Sequence, residues 1–61
     1  MTTTHIWTPA SDLLPGDEIR LTLARITVAS TERRTWHTFV TDTRGEVHKF
    51  ETGEVLKVRP A

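Results

Sequence analysis

The sequence predicts an all-β domain of five to six short antiparallel strands, curled into a small barrel or a strongly bent sheet. Three observations carry this. Apolar and polar residues alternate strictly from Glu18 to Leu23; turn-forming residues recur at Pro15-Gly16, Arg44-Gly45 and Gly53; and no long segment shows helical periodicity. Short strands separated by regularly spaced turns are the signature of small barrels and sandwiches.

At the amino end, Thr2 to Thr4 are polar and β-branched and read as a frayed lead into a strand at His5, Ile6 and Trp7, which Pro9 ends. Ser11 to Asp17 contains a candidate cap at Ser11 and then Leu14-Pro15-Gly16-Asp17. Pro-Gly favours a type II turn, because proline fixes φ at the first central position and glycine accepts positive φ at the second. From Glu18 the alternation places Ile19, Leu21 and Leu23 on one face. The parity then shifts, since Ile26 and Val28 fall on even positions, so a bend, bulge or turn is expected near Ala24 and Arg25. Ser30 to Thr35 is polar and reads as a connection, followed by a strand from Trp36 to Asp42.

Asp42-Thr43-Arg44-Gly45-Glu46 has the chemistry of a three-residue hairpin loop, a type I turn closed by Gly45 in the left-handed region. That loop sets a register: Val40 opposite His48, Thr38 opposite Phe50, Thr41 opposite Val47, and Phe39 opposite Lys49. One face then carries Trp36, Val40 and Phe50, and the other carries Phe39 and Val47. Both are partly apolar. The second must be covered by Ile6 and Trp7, buried against another molecule or left exposed. Thr52-Gly53-Glu54 makes the last turn, and Val55, Leu56 and Val58 form a closing strand that ends at Pro60.

Sixty-one residues make one domain with one core, spanning 1–61. The absence of cysteine excludes disulfides, thiolate zinc sites and cysteine nucleophiles. Zero formal charge gives no global attraction to nucleic acid or anionic membrane, so any such binding needs a local patch. The longest apolar run is far short of a membrane span, and Met1 to Thr4 lacks the features of a signal peptide. A cytoplasmic location is therefore expected.

The run Leu14-Pro15-Gly16-Asp17-x-Ile19, a following hairpin, and Glu46-Val47-x-Lys49-Phe50-x-x-Gly53-Glu54-Val55-x-x-Val58 together resemble small SH3-like barrel proteins of actinobacteria and their phages. The resemblance covers most of residues 12 to 59 and rests on turn and core positions. It implies an SH3-like barrel and no particular activity. A signalling SH3 domain would carry a tyrosine-lined groove for proline-rich peptides, and the chain has no Tyr.

The residues that could carry chemistry are few. His5, His37 and His48 do not converge in the predicted register, because His37 faces Glu51 while His48 lies on the other face, so no shared metal site is expected. The carboxylate pairs Asp17-Glu18 and Glu51 with Glu54 read as turn and edge-strand residues, and Ser11 and Ser30 lack a nucleophile elbow. No catalytic residue, metal or cofactor is expected. Arg33 and Arg34 beside Trp36 form the main polar candidate, since guanidinium groups bind phosphate or carboxylate and an exposed indole can stack. Against this, a solvated loop beside a core tryptophan fits the same residues.

The expected function is that of a non-enzymatic interaction module. It would bind a protein partner or a second copy of itself through the apolar face of Phe39 and Val47, with Arg33, Arg34 and Trp36 as further partner-binding candidates. The alternative is a weak nucleic-acid-binding barrel using Arg33, Arg34 and a nearby aromatic.

Overall fold

The hairpin around Gly45 is the clearest local element of the fold. In the computed structural model, which describes residues 5–61, β4 (His37–Asp42) and β5 (Val47–Glu51) pair antiparallel. Thr41 lies opposite Val47, Val40 opposite His48, Phe39 opposite Lys49, Thr38 opposite Phe50 and His37 opposite Glu51, the register that the loop chemistry predicts. Gly45 has φ +86°, its N–H donates to Asp42 O at 3.0 Å, and Asp42 N–H donates to Glu46 O at 2.9 Å. The fraying expected of Thr2 to Thr4 lies outside the described residues.

Six antiparallel strands form one sheet in the order β1-β6-β2-β3-β4-β5, where β1 is Ile6–Pro9, β2 Glu18–Arg20, β3 Arg25–Arg33 and β6 Val55–Arg59. The fold is all-β and barrel-like, as expected. Pro9 is the last residue of β1, and a single 3-10 turn, Ala10–Asp12, follows. Ser11 sits inside this turn, and Pro9 takes the capping position without a side-chain hydrogen bond. The Pro15-Gly16 turn closes through Asp17 N–H to Leu14 O at 3.1 Å, with Gly16 at φ +92°. Asp17 is a buried structural carboxylate: Oδ2 accepts from Leu14 N–H at 3.0 Å and Oδ1 from Ala61 N–H at 3.2 Å.

The core consists of Ala10, Leu13, Ile19, Val28, Val40, Leu56 and Val58, with Leu21, Ile26 and Phe50 packed against it. Every strand except β1 and β5 contributes at least one fully buried apolar residue. Burying so few aliphatic side chains, the valines, leucines and isoleucine each giving about 1.5–3 kcal/mol, leaves a small domain dependent on every one of them.

Three expectations are corrected by the structure, and one of the three alternatives for the face of Phe39 is removed. Leu23 does not continue the buried face of Ile19: β2 ends at Arg20, the chain turns through Thr22 and Leu23, and Leu23 is 97% exposed at the tip. The polar stretch after Val28 is not a connection, because β3 runs on to Arg33 and pairs with β4 throughout. Its alternation is hidden by a bulge between Val28 and Ser30, where the extra residue Ala29 moves the core-facing set from even to odd positions. Trp36 is not in β4 and not in the core. It lies in the bend before His37 with 79% of its surface exposed, so strand parity does not govern its direction. Finally, Ile6 and Trp7 do not cover Phe39, because β1 pairs with β6 at the far edge of the sheet from β5, leaving Ile6 51% and Trp7 68% exposed.

Candidate functional site

Alternation in β4 divides its side chains between two environments. Thr38, Val40 and Asp42 are buried on the core side, whereas His37, Phe39 and Thr41 are half-buried on the outward side. Pairing extends each outward residue into a row across three strands. Ser30, Thr41 and Val47 form one row; Glu32, Phe39 and Lys49 form the next. At the end of the ladder Arg34 N–H donates to His37 O at 2.7 Å and His37 faces Glu51, which makes a third row of Arg34, His37 and Glu51.

These rows floor an open groove lined by Ser30, Glu32, Arg34, Trp36, Phe39 and Val47, among others. Trp36 stands at one end, held by its backbone, since Thr52 N–H donates to Trp36 O at 3.0 Å and Thr52 Oγ1 donates to Arg34 O at 3.1 Å. The groove therefore unites Phe39, Val47, Trp36 and Arg34. Arg33 is not part of it. After the bulge at Ala29, Arg33 pairs with Thr38 and shares the parity of the core-side residues, so consecutive arginines point to opposite faces.

Arg34 is also less free than the sequence suggests. Its Nε and Nη2 donate to one oxygen of Glu32, at 3.1 and 3.0 Å. On this face the anions Glu32 and Glu51 offset the cations Arg34 and Lys49, and no field of one sign results. Four titratable residues of the face, His37, Glu32, Lys49 and Glu51, are not among the partner-binding candidates that the sequence suggests. His37 has the same parity as Phe39 in β4, and Lys49 follows from the hairpin register; Glu32 was hidden by the bulge.

A second constellation lies at the hairpin itself. Asp42 Oδ1 accepts from the N–H groups of Arg44 and Glu46, at 2.8 and 3.0 Å, and Oδ2 lies 2.8 Å from His48 Nε2. The His48 hydrogen bond is the main influence holding the Asp42 carboxyl below its ordinary pKa, assisted by the Glu46 and Arg44 amides and opposed by burial. Asp42, Glu46 and His48 each bring one ligand atom to within 4.8 Å of the others. Both Asp42 oxygens are already engaged in closing the hairpin, so the trio acts chemically as a turn cap. His37 and His48 face opposite sides of the sheet, in line with the predicted register.

No helix among the described residues is long and apolar enough to cross a membrane. Comparisons with protein-family models, curated proteins and solved structures find no match to the chain.

Proposed function

We propose that the domain is a non-enzymatic interaction module, an SH3-like small barrel with an added amino-terminal strand, which binds a protein partner or a second copy through the outward face of β3, β4 and β5. The observation that carries this reading is the gathering of Trp36, Phe39 and Val47 in one groove, with Trp36 79% and Val47 63% exposed. A chain this small has few large apolar side chains, and placing three of them around one open groove sacrifices core burial that the domain needs. A rim of mixed charge around an apolar centre is the general anatomy of a protein–protein interface. The SH3-like assignment is supported by the β2-β3-β4-β5 meander and by the return of β6 to pair with β2.

The nucleic-acid alternative needs a cationic patch beside an aromatic. The opposed directions of Arg33 and Arg34, and the Glu32 carboxylate on Arg34, weigh against it. The test has two arms, run on the parent and on Phe39→Glu: sedimentation equilibrium, and panning of a random-peptide display library. Mass that rises with concentration, or peptides retained by the parent and lost on Phe39→Glu, supports the reading. If neither is seen, the reading is overturned, and a salt-dependent mobility shift of a short oligonucleotide would put the alternative in its place.

A further inference from the structure

We infer that the occupant of this face is a second copy of the same chain, related by a two-fold axis that runs parallel to β4 through Phe39. This rests on the interaction-module reading above and goes beyond it by naming the partner and the geometry.

Charges of opposite sign are ordered across the face. Seen from outside, β4 is the middle strand, with β3 on one flank and β5 on the other. In the Phe39 row the β3 flank carries Glu32 and the β5 flank Lys49. In the His37 row the β3 flank carries Arg34 and the β5 flank Glu51. Each row is thus of opposite sign at its two ends, with Phe39 or His37 between.

A two-fold axis parallel to β4 exchanges the flanks when two such faces meet. It lays Lys49 of each copy over Glu32 of the other, and Arg34 of each over Glu51 of the other. Phe39 meets Phe39 at the centre. Every charge on the face then meets its opposite, and because the contact is isologous each favourable pair occurs twice. An axis through Phe39 perpendicular to the strands instead stacks Glu32 on Glu32 and Lys49 on Lys49, so the pattern selects between the two. Sheets pack with strands nearly aligned and about 10 Å apart, a separation that an aromatic pair fills and that the long Glu, Lys and Arg side chains span. Trp36, at the end of the groove, extends the apolar contact along the axis. The segment that could have served as an internal cover, Ile6 and Trp7, is committed to β6 at the opposite edge of the sheet.

The charge order also supplies its own test. Lys49→Glu places glutamate over Glu32 twice in a homodimer, and Glu32→Lys places lysine over Lys49 twice. Each variant alone should associate at least about tenfold more weakly than the parent. Mixed in equal amounts, the two variants form a heterodimer in which the glutamate introduced at position 49 of one copy meets the lysine introduced at position 32 of the other. On the second side the unchanged Lys49 and Glu32 meet, so association returns. Sedimentation equilibrium from about 1 to 100 μM reads all three, with far-UV circular dichroism showing that each variant is folded. A dimeric parent, two weakened variants and a restored mixture are expected. A parent that is monomeric at roughly 100 μM, where even a micromolar interface is occupied, overturns the inference; so does a dimer indifferent to both charge reversals or a mixture that stays monomeric. If the monomer still retains Phe39-dependent peptides from the display library, the interaction-module reading survives and only the identity of the partner as a second copy fails.

Discussion

His48 and Asp42 are joined across the β4–β5 hairpin by a 2.8 Å contact between Nε2 and Oδ2, while the other carboxylate oxygen receives the two amides of the loop. Loop and strand are thus tied to one buried carboxylate. The Asp42 side chain is 3% exposed, so its charge is tolerated only because these donors replace water.

A pH dependence follows. The folded-state pKa of Asp42 is lowered, chiefly by His48, so its contribution to stability is fully present above the unfolded value near 3.8 and is lost as pH falls through the lower folded value. Thermal unfolding followed from about pH 6 to pH 2 should show this acid limb. Asp42→Asn should flatten the limb while lowering the midpoint at neutral pH. In His48→Gln the Asp42 carboxyl, followed by NMR, should titrate closer to its ordinary value. An unchanged acid limb in Asp42→Asn would mean that other carboxylates set it.

The two left-handed glycines separate backbone strain from crowding. At Gly45 a Cβ would meet nothing within 4 Å, so Gly45→Ala should cost about 1 kcal/mol, from φ +86° alone. Gly45→Asn should cost less, since Asn tolerates this region. At Gly16 a Cβ would lie 2.9 Å from Ala61 Cβ as well as sitting at φ +92°. Gly16→Ala should therefore be the more damaging, and removing Ala61 should relieve only part of the loss. Equal melting temperatures for Gly16→Ala and Gly45→Ala would count against this account.

What could be read from the sequence was what local chemistry decides. Asp42 to Glu46 encodes its own turn, and a known loop fixes every pair from Thr41–Val47 to His37–Glu51, so the face holding Phe39 and Val47 is legible in the sequence itself. The position of Trp36 is not. It requires knowing that β4 begins at His37 rather than Trp36, a one-residue difference that releases Trp36 from the parity of the strand. The polar half of β3 was hidden for a related reason. Beyond the bulge its outward residues Ser30 and Glu32 face an open groove, and its core-side residues Thr31 and Arg33 are themselves polar and exposed, so no hydrophobic alternation marks the strand.

Thr38 offers a test of core chemistry. It is the second residue of β4, at 1% exposure, and its Oγ1 has no hydrogen-bond partner among the described residues. Thr38→Val keeps the shape and removes an unsatisfied hydroxyl, so stability should hold or rise by up to about 1 kcal/mol. Thr38→Ser keeps the hydroxyl, loses a buried methyl and should destabilise. Chemical denaturation of both variants measures the difference, and a clear loss in Thr38→Val would show that the hydroxyl is satisfied after all.

The residues that hold the fold and those that face outward should respond to truncation in the reverse of the order that size alone suggests. Trp36 is the larger side chain, yet it is 79% exposed, whereas Ile19 is wholly buried at the junction of β2 with β3 and β6. Deleting the indole removes little apolar area from the folded interior. Deleting one methyl from Ile19 opens a void that close-packed neighbours fill only in part. At concentrations where the parent and Trp36→Ala are both monomeric, Trp36→Ala should thus change stability by no more than about 0.5 kcal/mol, while the far smaller change Ile19→Val should cost about 0.5–1.5 kcal/mol. At high concentration the order should invert, because Ile19→Val leaves the outward face intact and Trp36→Ala shortens the apolar contact that runs along the two-fold axis. Urea denaturation at about 0.1 μM and sedimentation equilibrium at about 100 μM, concentrations on either side of a micromolar dissociation constant, read the two halves separately. A Trp36→Ala variant that is strongly destabilised as a monomer would return Trp36 to the core and remove it from the interaction face.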